Sequence, residues 1–359
     1  MKLIITGGGT GGHIYPAVSV AHAAMKADPD TRVLFVGSAH GPEGKIARDE
    51  GLDFAAVASA PMCKCLSPKN IKALWRLIPG FFRGRKIIKE FGADAVVGTG
   101  GYTTGAVLLA AKSLKKYVIV HEQNVVPGKT NICLSRIADK VCVTFDESAK
   151  YFPAKKVVHS GMPVRKEFFN LPEAKESRLK YGLDPDKFTI LVTGGSQGAK
   201  RLNELMSAAW SRIDDGKTQV LHQVGTKNIG EYESSGSENY RYAGYLDMPS
   251  ALAACDMVVS RAGASSLAEI FAAGKAGVLF PYPYAYADHQ RFNAEYAGRK
   301  GASVVFDDFK CTPDMLAAAI RGIRDDDEKR NAMALAAKSL AEPNAAETVA
   351  NLACNRGKQ

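Results

Sequence analysis

The first apolar stretch of the chain, Leu3-Ile4-Ile5, runs through Thr6 into Gly7-Gly8-Gly9-Thr10-Gly11-Gly12, which fits G-x-G-x-x-G at the entry to a helix. Glycine lets the backbone come close to a ligand there, and the N–H groups that a helix start leaves unpaired attract an anion. The same glycines would also serve a tight strand-to-helix turn that binds nothing. His13 follows directly. An imidazole at that place can take a proton near neutral pH, or it can make a helix-start hydrogen bond. One chemistry loses a main support and another is excluded. A nicotinamide site needs an acidic residue at the end of the second strand to hold a ribose, and that strand ends Phe35-Val36-Gly37-Ser38. A P-loop needs Lys-Ser or Lys-Thr after the glycines, and neither is there.

Gly100-Gly101-Tyr102 and His121-Glu122-Gln123-Asn124 each follow an apolar run that reads as a strand, so an open parallel sheet would gather them at the same carboxyl edge as His13. Three polar clusters converging there suit an acceptor site, although any one alone could be a satisfied turn. In the second half, Arg261-Ala262-Gly263-Ala264-Ser265-Ser266-Leu267-Ala268-Glu269 again joins a strand to a helix. Ser266 and Glu269 have the spacing of a capping box; in the alternative reading Glu269 accepts hydrogen bonds from a ribose while the helix start faces phosphate. Asp288-His289-Gln290-Arg291-Phe292-Asn293-Ala294 is too polar for a simple connector.

The elements that must hold these residues alternate between short apolar runs and helical patterns, which predicts an α/β fold of parallel sheets covered on both faces. Strands are expected at residues 3–5, 33–36, 95–97, 118–120 and 141–143, then at 189–192, 220–223, 257–259, 278–280 and 303–306. Val192-Thr193-Gly194-Gly195-Ser196-Gln197-Gly198 echoes the first glycine run, so two similar doubly wound domains are expected, joined within residues 153–187. The alanine-rich helical tail from about residue 312 has no strand of its own and is expected to pack back on the rest.

With 359 residues, 46% of them hydrophobic and 23% charged, a large core is feasible. The seven cysteines are scattered, which argues for reduced thiols, and the Cys63-x-Cys65 pair lacks a second pair at zinc spacing. Neither a signal peptide nor about 18 uninterrupted apolar residues is present, so the cytoplasm is expected. The net charge of +10 calls for an anionic partner. From Lys64 to Lys89, cations interleave with Trp75, Phe81, Phe82 and aliphatic residues. That suits an anionic bilayer surface or an ordinary helix with a solvated basic face. Nucleic acid is not expected, since no binding module accompanies the charge.

In order and spacing these motifs, with Pro163-Val164-Arg165, resemble over essentially the whole chain the MurG family of bacterial transferases, which add N-acetylglucosamine from UDP-N-acetylglucosamine to lipid I, giving lipid II. The resemblance implies a GT-B architecture with no cofactor or metal, working at the cytoplasmic face of the membrane on those two substrates. It implies domains at 1–162 and 163–340, with a returning helix at 341–359. The donor would be held by Thr10, Gly11, Gly12 and Asn124, and by Arg165 and Ser196 near the diphosphate. Ala264, Ser265, Ser266, Leu267 and Ala268 would line it, with Glu269 at the ribose, Gln290 beyond, and a backbone contact near Tyr245 to uracil. His13 would stand at the reacting centre with Glu122 as the other candidate base, and Tyr102 and His121 on the acceptor side. Met162 and Ser266 depart from the Asn and Thr usual in the family. Rival readings are another UDP-sugar enzyme of the same architecture, a glycolipid transferase or an epimerase, and a non-catalytic nucleotide-sugar sensor.

Overall fold

The computed structural model describes residues 1–58, 68–195, 197–232 and 236–355, with residues 68–77 described by backbone alone. The chain divides into two units, Met1–Arg165 with Glu342–Gln359, and Lys166–Ala341.

In unit 1 the order is β1 (Lys2–Thr6), α1 (Gly11–Ala27), β2 (Arg32–Ser38), α2 (Glu43–Asp49), β3 (Asp53–Val57), α3 (Pro68–Phe91), β4 (Ala95–Gly98), α4 (Tyr102–Ser113), β5 (Tyr117–Glu122), α5 (Lys129–Ser135), β6 (Lys140–Val143) and β7 (Val157–His159). Among the described residues these strands form one parallel sheet, ordered β3-β2-β1-β4-β5-β6-β7. Side chains alternate across a strand, so both faces of β1 are apolar. Leu3 and Ile5 pack with Ala17, Val20 and Ala21 of α1, while Ile4 packs on the opposite face with Val107 and Leu108 of α4.

Unit 2 holds α6 (Ala174–Lys180), β8 (Phe188–Thr193), α7 (Lys200–Trp210), β9 (Thr218–Gln223), β10 (Tyr240–Ala243), α8 (Met248–Ala254), β11 (Met257–Arg261), α9 (Ala264–Ala272), β12 (Ala276–Phe280), α10 (His289–Arg299), β13 (Ser303–Val305), α11 (Pro313–Arg324) and α12 (Asp327–Ser339). Its parallel sheet runs β10-β9-β8-β11-β12-β13. Ile190, Val192, Val259 and Val278 meet Leu205 of α7 and Leu316 and Ile320 of α11. After α12 the chain returns to unit 1 as α13 (Ala345–Cys354), whose Ala346, Val349, Ala350 and Ala353 complete the core around α1.

The expected α/β class and the doubly wound sheets are present, and every expected strand is found with its ends moved by a residue or two. Three strands were not anticipated: β3, β7 and β10. The stretch expected to be a linker carries β7 and α6, and the chain passes from one unit to the other at Arg165 and Lys166.

Candidate active site

The sheet order of unit 1 reverses direction between β1 and β4, and a crevice opens at the carboxyl ends of strands at such a point. The loops after β1, β4 and β5 meet there. Gly8 N–H donates to Gly100 O at 3.2 Å, and a Cβ at Gly101 would collide with the Gly8 backbone, so the first two loops touch main chain to main chain. His13 lies in the first turn of α1, and its Nδ1 sits 3.1 Å from Thr99 O and 3.0 Å from Gln123 Oε1. Its imidazole therefore bonds across to the two neighbouring loops.

Those contacts fix a tautomer. His121 is fully buried, and burial pushes its pKa down to about 4, with the nearby His13 adding to the effect against a hydrogen bond to Gly161. A neutral His121 donates from Nε2 to Gly161 O at 2.9 Å, so its Nδ1 accepts from Gln123 Nε2 at 3.4 Å. Gln123 Nε2 also donates to Thr99 O. The amide oxygen of Gln123 is thereby left facing His13, and both neighbours of His13 Nδ1 are acceptors. The proton resides on Nδ1 and the basic lone pair on Nε2.

Glu122 is differently placed. Its carboxylate accepts from Asn124 N at 2.9 Å, Asn124 Nδ2 at 3.2 Å, Gly128 N at 3.2 Å and Asn131 Nδ2 at 2.8 Å. Burial raises its pKa and these four donors work against that rise. It is 1% exposed and organises the loop that carries Asn124. Tyr102 opens α4 and is exposed, as is Thr10; Gly11 and Gly12 form the half-buried start of α1. Arg165 closes unit 1 with its guanidinium 5.9 Å from the ring of Tyr15.

In unit 2 the switch falls between β8 and β11. The capping box is not formed: α9 begins one residue after Gly263, no side chain caps it, and Ser266 already lies inside the first turn. Leu267 is fully buried, with Ala264 and Ala268 nearly so, while Ser265, Ser266 and Glu269 are half-buried. Gln290 Oε1 accepts from Ala262 N at 3.2 Å and Tyr282 N at 3.0 Å, tying the ends of β11 and β12 to α10. Before α10 the backbone turns through left-handed geometry at Ala287 and Asp288, φ 50° and 56°. Strain of this kind, on the order of 1 kcal/mol or more per residue, gathers at ligand sites. Tyr245 is exposed after β10, and Ser196 lies outside the described residues.

Three residues that the sequence did not mark also shape these loops. Thr99 Oγ1 donates to His13 O at 2.6 Å. Gln223 donates to Gly195 O at 3.0 Å and accepts from Leu246 N at 2.9 Å, which joins the loops beside Tyr245. Glu43 Oε1 accepts from Gly9 N at 2.8 Å. Each acts through contacts distant in sequence, and no local spacing announces it.

The glycosyltransferase family 28 N-terminal domain matches residues 3–143, and the family's C-terminal domain matches residues 189–349. A protein of Desulfitobacterium hafniense (strain Y51), named UDP-N-acetylglucosamine--N-acetylmuramyl-(pentapeptide) pyrophosphoryl-undecaprenol N-acetylglucosamine transferase, is 39% identical over 98% of this chain and 98% of its own. The crystal structure of Acinetobacter baumannii MurG superposes with a TM-score of 0.78 at 28% identity, covering 99% of each chain. UDP-GlcNAc 2-epimerase from Neisseria meningitidis, bound to UDP-GlcNAc, reaches a TM-score of 0.71 at 13% identity over 99% of this chain and 100% of that one. Likeness at that identity is one of fold alone.

Proposed function

The chain belongs to glycosyltransferase family 28, and we propose on that premise that it transfers N-acetylglucosamine from UDP-N-acetylglucosamine to undecaprenyl-diphospho-muramoyl-pentapeptide, a step of peptidoglycan synthesis. The observation that carries the mechanism is the hydrogen-bonded series from Gly161 through His121 and Gln123 to His13, which leaves His13 Nε2 basic at the crevice of unit 1.

His13 Nε2 takes the proton of the muramoyl 4-hydroxyl as that oxygen attacks the anomeric carbon of the donor. The new C–O bond forms as the bond from the anomeric carbon to the diphosphate oxygen breaks. UDP leaves with the electron pair, and a single displacement inverts the anomeric centre. Glu122 positions Asn124 rather than taking the proton itself, because both its oxygens are engaged by the loop. Thr10, Gly11, Gly12 and Asn124 face the donor sugar. The start of α9 and Arg165 stabilise charge growing on the diphosphate, and Ser196 belongs with them. Glu269 takes the ribose hydroxyls and Gln290 also holds the donor, with uracil near Tyr245. Tyr102 stands on the acceptor side.

The outer face of α3 supports a membrane-facing role. Ile78 and Phe82 are exposed beside Arg83, Lys86 and Lys89, while Ile87 and Ile88 enter the core. This face meets the anionic inner surface of the cytoplasmic membrane, where the acceptor lipid lies. No helix among the described residues is long and apolar enough to cross a membrane.

Incubation with UDP-N-acetylglucosamine and a short-chain soluble analogue of the lipid acceptor is expected to release UDP and disaccharide product in equal amounts. UDP binding without disaccharide would leave only a sensor, and release of an epimerised or free sugar would reassign the reaction.

A further inference from the structure

Glu43 opens α2 and lies beneath the first glycine loop with 1% of its surface exposed, and the reaction described above makes no use of it. Glycines leave the room it fills. A Cβ at Gly8 or Gly41 would run into its carboxylate oxygens, and one at Gly37 would come within 2.8 Å of its own Cβ. Oε1 accepts the Gly9 N–H at 2.8 Å, and Gly9 holds a φ of +89°. Oε2 is buried without a hydrogen-bond partner among the described residues, and so is Oγ1 of Thr103, which flanks the same point below Gly8. Burying a carboxylate with one oxygen unsatisfied costs stability that an apolar side chain of similar size would not. The arrangement is therefore poorly explained as core packing, and its one strong contact is with the loop that leads into His13.

We propose that Glu43 is a positioning residue of the transfer reaction, which clamps the Gly7–Gly12 loop so that Thr10, Gly11 and Gly12 meet the donor sugar and His13 meets the acceptor hydroxyl. The proposal rests on the reading of the site given under Proposed function. It acts through the loop and leaves the nucleotide half of the donor to unit 2.

Glu43→Ala, Glu43→Gln and Glu43→Asp are compared with the unaltered protein on UDP-N-acetylglucosamine and the short-chain soluble acceptor. Loss of the side-chain acceptor for one buried N–H is expected to lower kcat in Glu43→Ala about 10-fold or more, with affinity for UDP alone unchanged. Glu43→Gln keeps an oxygen for Gly9 and is expected to restore most of the rate. Should Glu43→Ala fail to fold, Glu43→Asp, one methylene short of Gly9, is expected to show the same division between kcat and UDP affinity. Unchanged kcat, UDP affinity falling in step with kcat, or Glu43→Gln as slow as Glu43→Ala each overturns the proposal. Amide exchange over residues 7–13 reads the clamp without any substrate: it is expected to quicken in Glu43→Ala and stay native in Glu43→Gln, and unchanged exchange overturns the proposal as well. Absence of disaccharide from the unaltered protein would sink the assigned reaction and leave the exchange result to decide the clamp.

Discussion

The proton on His13 is placed by two acceptors that belong to other loops, Thr99 O and Gln123 Oε1, and this gives neighbouring residues distinct signatures. His13→Ala removes the base itself and is expected to lower kcat by roughly 100-fold or more, with UDP affinity kept. Gln123→Leu keeps the volume but removes both the acceptor for His13 and the donor to His121. It is expected to lower kcat by about 10-fold and to disturb the acidic limb of the pH–rate profile, since the tautomer is no longer held. A Gln123→Leu variant with an unaltered pH profile would show that Thr99 O alone suffices. Glu269→Ala is expected to raise the donor KM, and an unchanged KM would take Glu269 out of the ribose contact. The position of His13 could be read from the glycines before it, because strand, loop and helix start are local features. Its protonation could not be read, because Gln123 and Thr99 reach it only after three strands have paired in register.

Among the elements, the strands that escaped sequence reading share one property: β3 and β7 are the two edges of the first sheet and β10 is an edge of the second. An edge strand is covered less completely than a central one, so its residues need not form an unbroken apolar run. Asp53-Phe54-Ala55-Ala56-Val57 and Tyr240-Arg241-Tyr242-Ala243 mix polar and apolar groups, whereas Ala95-Val96-Val97 of β4 is buried throughout. Helix α3 carries the element-scale prediction. Phe81 packs against the core, while Phe82 is 63% exposed, so serine at Phe82 alone is the proper probe of the outer face. Phe82→Ser is expected to weaken binding to anionic vesicles several-fold while sparing transfer to the soluble acceptor. Equal loss on soluble and vesicle-borne acceptors would assign Phe82 to packing instead.

Across the whole molecule, each unit buries one neutral histidine inside a sheet. His121 has its pKa pushed down to about 4, and His222, held between Tyr240 OH at 2.8 Å and Asn203 Oδ1 at 3.2 Å, to about 3, both by burial. Both fall below the ordinary 6.5, so between those values the unfolded chain binds protons that the folded chain refuses. Their contribution is fully present above about pH 6.5 and is lost as pH falls toward 4, with His121 alone worth roughly 3 kcal/mol. Glu122, whose pKa is raised, works in the opposite direction but is a single group. The urea midpoint is thus expected to fall between pH 7 and pH 4.5, and a midpoint that rises on acidification would contradict the burial of these rings. The return of α13 to the core around α1 has its own consequence. During synthesis the first half of the protein must wait, one helix short, while the whole of its neighbour, Lys166–Ala341, emerges. A ribosome that stalls within that interval yields a nascent product whose α1 still shows a greasy flank, a mark by which chaperones and proteases can tell an unfinished copy from a finished one.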